Sequence, residues 1–312
     1  MNIAANLISL ALLALLHSTA AFLIQSKDGT QLWAEARGNP FNPHVVWIHG
    51  FLSSSVVYDK LFEDEAYLSE LYMVRYDLRG LGRSDKPLDP ASYESQRFAE
   101  DFDAVVQTFG LKKPFVAGWS YGGTVCADIY TSHGHGYLSG CIYLASFSTA
   151  TSYRPHQGHG GLYSFPKLLQ DSDVAMYQDG ATRFTDFLLA DASRLPYKTR
   201  MIWSNLVGVV PQQVKRNLVF RKQDNTRLFD EGGPLLPVLY VEGSKDAMLD
   251  SVKVVDSLRP KFEKFEVATV PNGGHVVFLD RYKEVKERIL RFVSDNRRCQ
   301  ECEGGLPKRV EL

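Results

Sequence analysis

Lys113-Pro114-Phe115-Val116-Ala117-Gly118-Trp119-Ser120-Tyr121-Gly122-Gly123-Thr124-Val125-Cys126-Ala127 is the stretch on which the reading of the chain turns. Its first half is a short apolar run, which predicts a buried strand. Its second half is a run of small residues, which predicts a helix packed closely on that strand. Ser120 stands at the junction. Gly-x-Ser-x-Gly between strand and helix marks a nucleophile elbow, a turn sharp enough to hold the serine in a strained backbone conformation with its hydroxyl pointing out. A side chain at Gly118 or Gly122 would collide with the crossing strand and helix.

Outward from this turn, strand and helix patterns alternate. Phe22–Gln25 and Gln31–Glu35, joined through Asp28-Gly29, read as a hairpin. Val45-Val46-Trp47-Ile48 suits a strand covered on both faces and runs into His49-Gly50-Phe51. A helix around Tyr58 to Leu68 and the strand Tyr72–Tyr76 lead to Asp77-Leu78-Arg79-Gly80-Leu81-Gly82-Arg83-Ser84, and Ser92 to Phe109 has helical spacing. The strand Gly140–Ala145 follows the elbow helix. The alternation stops from Ala150 to Gly233, where Phe184, Phe187, Leu188, Trp203, Leu206, Val207 and Val210 recur at helical spacings. It resumes with the strand Val238–Glu242, the turn Gly243-Ser244-Lys245-Asp246, a helix near Ser251 to Leu258, the strand Lys264–Val270, Pro271-Asn272-Gly273-Gly274-His275, and a helix from about Arg281 to Val293. This is the pattern of an α/β fold with a mostly parallel central sheet, helices on both faces and an inserted helical cap.

Three side chains of complementary chemistry each follow a strand: Ser120, Asp246 and His275. Loops after parallel strands emerge on one edge of the sheet, where residues distant in sequence converge. A serine needs a base to become a good nucleophile; His275 can take its proton near neutral pH, and a carboxylate can fix the imidazole tautomer. Asp250 is the rival for the acid, but its position suits a helix cap. His49, Asp77 and Arg79 read as structural. His133, His135, His156 and His159 lie in glycine-bearing stretches without ligand spacing to a carboxylate or cysteine.

On His49-Gly50-Phe51, the Asp77–Ser84 loop, Gly118–Gly123, Gly243–Asp246 and Gly273-Gly274-His275, from Phe22 to Val293, the chain resembles the α/β-hydrolase superfamily, in its capped group of esterases, cofactor-free haloperoxidases, lactonases and carbon-carbon bond hydrolases. The resemblance implies Ser120 as nucleophile, Asp246 as acid, His275 as base, and an oxyanion hole from the backbone N–H groups of Phe51 and Tyr121, with Trp119 lining the pocket. It implies a serine hydrolase of a small to medium apolar ester, lactone or thioester, with no metal or organic cofactor. A haloperoxidase or perhydrolase, a carbon-carbon bond hydrolase, and a ligand receptor on the same scaffold are the alternatives. Epoxide hydrolases and haloalkane dehalogenases of the superfamily carry aspartate at the elbow, and serine here argues against both chemistries.

The 312 residues carry a net charge of −1 and are 45% hydrophobic, which allows a sizeable core and offers no basic field for nucleic acid. Leu7 to Leu16 is almost wholly apolar and Ser18-Thr19-Ala20 supplies small residues, so residues 1–20 read as a secretory signal cut after Ala20, with an apolar lead-in resting on the domain as the other reading. The run is too short for a stable membrane span, for which about 20 apolar residues are needed. The expected organisation is therefore the signal at 1–20, core at 21–149, cap at 150–233, core at 234–296 and a polar tail at 297–312. Cys126 and Cys141 read as small core residues, while Cys299-x-x-Cys302 falls in the tail and lacks the partners of a zinc site. Arg309-Val310-Glu311-Leu312 departs from an endoplasmic-reticulum retention signal at its acidic position.

Overall fold

The protein is described here by a computed structural model covering residues 20–303. The signal expected at residues 1–20 and the terminal Arg309–Leu312 motif therefore lie outside the described residues, save Ala20. Eight strands form one sheet: β1 (Ala20–Gln25), β2 (Gln31–Gly38), β3 (His44–Ile48), β4 (Tyr72–Tyr76), β5 (Phe115–Trp119), β6 (Gly140–Leu144), β7 (Val238–Gly243) and β8 (Phe265–Val270), in the order β1-β2-β4-β3-β5-β6-β7-β8. The hairpin β1/β2 and the pair β2/β4 are antiparallel, and every later pairing is parallel. β3, β5, β6 and β7 are mainly apolar and almost wholly buried because helices cover both faces, so side chains of either parity are enclosed. β8 is one of the two edge strands, and its burial is correspondingly partial.

Two helices differ from the sequence reading. The helix expected over Tyr58 to Leu68 breaks into Asp59–Phe62 and Glu65–Glu70. Asp64 causes the restart: its carboxylate accepts from the N–H groups of Ala66 and Tyr67, at 2.9 and 3.1 Å, and so caps the second piece. The closing helix runs from Tyr282 to Glu303 rather than stopping near Val293. Ser294 to Glu303 contains neither glycine nor proline, so nothing terminates it before Gly304. The start of the tail expected at 297–312 is thus helical backbone, while the side chains of Cys299 and Cys302 lie outside the described residues.

Between β6 and β7 the chain forms no strand of the sheet. It builds the helices His159–Leu168, Val174–Phe187, Tyr197–Gly208 and Gln212–Phe220. Phe184, Leu188, Trp203, Val207 and Val210 point inward from them and are buried. The end of this segment is bolted to the helix Val125–His133, which follows the Ser120 turn. Arg221 meets Asp128 through two bonds of 2.8 and 3.1 Å, and Gln223 and Ser95 donate to the same carboxylate. The side chains of Arg221 and Asp128 are 1% and 0% exposed, so each charge depends on the other.

Lys215, also in this segment, is buried. Its ammonium donates to the Tyr177 hydroxyl at 2.7 Å and lies 4.3 Å from the Tyr177 ring centroid. Burial lowers its pKa from 10.5 to about 8. Among the described residues, no helix is long and apolar enough to cross a membrane.

Two outcomes follow from these buried charges. Asp128→Asn leaves the Arg221 guanidinium buried without its carboxylate, and chemical denaturation should show a loss of about 3–5 kcal/mol. For Lys215, the unfolded chain holds the extra proton between pH 8 and 10.5, so its penalty is complete below that window and disappears as pH rises through it. Lys215→Met should therefore raise the melting temperature at neutral pH by a few degrees, with the gain shrinking as the buffer is taken through that window; a gain independent of pH would contradict this origin.

Candidate active site

Strand β5 ends at Trp119, and the next residue turns the chain into a helix. Ser120 has φ 51°, a left-handed conformation that costs a non-glycine residue free energy and is held only where the surroundings enforce it. A Cβ at Gly118 would fall against the backbone of Gly123, and one at Gly122 against the carbonyl oxygen of Ile48, both inside contact distance. The Ser120 carbonyl accepts from the Ser146 hydroxyl at 2.5 Å, so the neighbouring β6 loop fixes the turn from outside. Ser146 was not picked out by sequence reasoning, and no local pattern distinguishes it.

The loops after β5, β7 and β8 converge as expected for strand ends on one edge of a parallel sheet. His275 Nε2 lies 2.9 Å from Ser120 Oγ, and His275 Nδ1 lies 2.8 Å from Asp246 Oδ2. The other Asp246 oxygen accepts from the N–H groups of Met248 and Leu249, at 2.8 and 3.0 Å. The Asp246 and His275 side chains are 1% and 3% exposed. Asp250 is elsewhere: it caps the helix Ser251–Leu258 and pairs with Lys253.

The His275 loop is tied down by groups that carry no sequence signal. Asp280 accepts from Gly274 N–H at 2.8 Å and from Ala190 N–H at 3.1 Å, and Val276 N–H donates to the Leu188 carbonyl at 2.8 Å. The helical segment between β6 and β7 thereby orders the imidazole as well as covering it. Trp119 Nε1 donates to the His275 carbonyl at 2.9 Å, giving this buried indole a positioning bond in addition to its place on the cavity wall.

On the other side of Ser120, His49 is fully buried. Its Nε2 accepts from Leu78 N–H at 3.0 Å, which places the ring proton on Nδ1, where it is donated to the Gly50 carbonyl at 2.9 Å. Burial lowers the pKa of His49, with the nearby Asp77 charge opposing that shift in part. Both ring nitrogens are thus occupied in holding the His49-Gly50-Phe51 loop against the Asp77 loop. Asp77 is likewise buried; burial alone would raise its pKa, but hydrogen bonds from Arg83 and Ser55 and the charge of Arg83 hold it below the usual carboxylate range. Arg79 forms a bidentate pair with Asp101 at 2.6 and 2.7 Å and faces the core. The Phe51 and Tyr121 rings lie 6.0 Å apart on the cavity wall.

A small, partly open pocket lies over Ser120. Its wall includes Phe51, Phe147, Phe165, Phe184, Leu188 and Met248, and among the described residues no Asp, Glu, Lys or Arg lines it. The two tyrosine hydroxyls on the wall are turned to backbone: Tyr121 donates to the Leu218 carbonyl and Tyr153 to that of Met248. The polar side chains left facing the space are chiefly Ser120 and His275. Two of the four histidines set aside above are engaged locally: His133 lies against Asp103, and His156 contacts the Ser152 carbonyl. Among the described residues, no group of three His, Cys, Asp or Glu is placed to hold a metal ion.

Known proteins share this architecture. A stretch of 93 residues is 42% identical to the protein described as "Probable oxidoreductase EphD" of Mycobacterium tuberculosis; it covers 30% of this chain and 15% of that protein, so the chain spans only a small part of the first curated relatives it matches. The AB hydrolase superfamily protein YisY of Bacillus subtilis is 22% identical over 86% of this chain and 97% of its own length. Among solved structures, the esterase RhEst1 from Rhodococcus sp. ECU1013 superposes with a TM-score of 0.76 at 21% identity, covering 88% of this chain and 98% of that one. A family model described as alpha/beta hydrolase fold matches residues 43–282. The chain belongs to the α/β-hydrolase fold family.

Proposed function

We propose that the protein is a serine hydrolase that cleaves a carboxylic ester, lactone or thioester of a small to medium apolar molecule. The observation that carries this reading is the unbroken chain of hydrogen bonds from Ser120 through His275 to Asp246, at 2.9 and 2.8 Å, ending in a left-handed serine at the floor of an apolar cavity. His275 takes the Ser120 proton as Oγ attacks the carbonyl carbon, and Asp246 holds the tautomer that leaves Nε2 free to accept it. The N–H groups of Phe51 and Tyr121 receive the developing oxyanion, a contribution of about 3 kcal/mol each. Collapse releases the alcohol or thiol and leaves an acyl group on Ser120. Water activated by His275 then frees the acid.

Residues 150–233 act in this reading as a cap that sets the substrate's size. With no Asp, Glu, Lys or Arg among the described residues of the wall, an anionic acyl group would enter without a permanent counter-ion, and desolvating its charge is costly. A neutral, aromatic or aliphatic acyl group suits the space. This disfavours cleavage of carboxylate-bearing carbon-carbon substrates. Opening an epoxide through a covalent ester on the enzyme requires a carboxylate nucleophile, and residue 120 is a serine.

A fluorophosphonate probe should label the full chain on Ser120, and Ser120→Ala should abolish labelling without lowering the melting temperature; persistent labelling would move the nucleophile elsewhere. Asp246→Asn should lower kcat on a neutral aryl ester by about 10³–10⁴-fold with the fold retained. Across a graded ester series, kcat/KM should favour neutral over anionic acyl groups of equal size.

A further inference from the structure

Two further spaces continue the pocket over Ser120 beneath the helices between β6 and β7. The first lies between the loop after β3 and two of those helices, and Leu52, Ser53, Thr185, Leu206 and Val207 border it. The second is a groove bordered by Val57, Leu189, Leu195 and Leu279, and it reaches the surface where Lys60 and Arg194 are exposed. Neighbouring spaces share walls. Phe184 and Leu188 border both the pocket over Ser120 and the middle space, and Trp203 borders both the middle space and the outer groove. All three side chains are buried, so each is packed as a partition between one space and the next.

We propose that Leu188 is the end wall that limits how long a substrate chain the site accepts, and that the middle space behind it is the direction in which a longer apolar chain would run. This rests on the hydrolase reading above and adds to it the residue that sets the length. The two halves of the first partition are held differently. The Phe184 ring meets Phe165 edge-on, 6.2 Å between centroids, and Phe165 stacks on Phe51 at 5.4 Å, so Phe184 belongs to the aromatic lining of the pocket. Leu188 follows the helix Val174–Phe187, and its carbonyl accepts from Val276 N–H, next to His275. The main chain at Leu188 is therefore fixed relative to the imidazole. A change of its side chain moves the wall and leaves that bond in place.

The middle space suits methylene groups. The Thr185 hydroxyl donates to the Ala181 carbonyl and accepts from the Ser204 hydroxyl, both at 3.3 Å, while Ser53 donates to the Ser54 carbonyl at 3.4 Å. With these hydroxyls engaged, leucine, valine and aromatic side chains make up the rest of the border. A methylene that meets a wall instead of a space should cost about tenfold or more in kcat/KM. Once Leu188 is cut back, Trp203 becomes the next limit.

The test uses the full chain and two ester series, p-nitrophenyl esters from acetate to decanoate and alkyl acetates from ethyl to decyl. In the parent, kcat/KM should fall at a definite chain length in one series. Leu188→Ala should move that fall to chains about two carbons longer, and Leu188→Phe should move it to shorter ones. Adding Val207→Phe to Leu188→Ala refills the middle space and should draw the fall back toward its parental position. Met248 borders the pocket over Ser120 but not the middle space, and Met248→Ala removes the same number of heavy atoms as Leu188→Ala; it should extend the tolerated chain less. A parent without a length limit, an unmoved limit in a Leu188→Ala protein that still reacts with a fluorophosphonate, or an equal extension in Met248→Ala overturns the proposal. Should Leu188→Ala lose its fold, Leu188→Phe decides the matter, and an unmoved limit there refutes it. A parent that neither labels nor cleaves any ester defeats the hydrolase reading itself, and this proposal with it.

Discussion

The sharp turn between β5 and its helix is the constraint on which the rest of the site depends. Strand and helix approach so closely at Gly118 and Gly122 that any Cβ would meet backbone, and the backbone between them has one way through, with Ser120 at φ 51°. Backbone strain of this kind persists only when neighbours over-determine it. Here the neighbours are identifiable. Ser146 grips the Ser120 carbonyl from the β6 loop, while the His49 ring fastens the adjoining loop after β3 to the loop after β4. The serine is thereby presented rigidly to an imidazole brought from 155 positions away.

A second layer of polar contacts couples the covering helices to that turn. Asp128, on the helix after Ser120, receives Arg221, Gln223 and Ser95. Asp280 gathers the backbone of Gly274 and Ala190. These carboxylates sit at two of the places where the inserted segment meets the rest of the fold, one on the helix after the serine and one beside the histidine loop. Buried charges and directed hydrogen bonds contribute little net stability when paired, yet they penalise every misplaced alternative. They therefore specify where the cover rests relative to the site, while Phe165, Phe184 and Trp203 supply the burial.

The legible parts of this chain were those with local or periodic signatures. Continuous apolar runs identified β3, β5, β6 and β7 because strands covered on both faces need no alternation. Ser120, Asp246 and His275 were readable because each follows such a strand, and the topology then brings them together. Ser146, Asp280 and the Arg221–Asp128 pair were not readable: one or two bonds across 26, 90 or 93 positions leave no spacing to detect. The break at Asp64 was missed for a related reason. An aspartate within a helical pattern looks like a solvated side chain until its carboxylate is seen taking two backbone donors.

The same distinction explains why reaction type and substrate are legible to different degrees. A proton relay needs three residue types at fixed strand ends, which is a constraint on sequence. A cavity wall needs only apolar bulk, and Phe, Leu and Met serve that purpose from many positions of many helices. In the proposed hydrolase, the chemistry is therefore written into the sheet edge, while selectivity arises from how the inserted helices pack over it. The wall records one chemical preference that packing alone would not impose. Tyr121 and Tyr153 both turn their hydroxyls to backbone carbonyls, so the two polar groups best able to hydrogen-bond a substrate are already engaged. What remains for a ligand is an apolar surface interrupted chiefly at Ser120 and His275, the place that the proposed reaction assigns to the carbonyl.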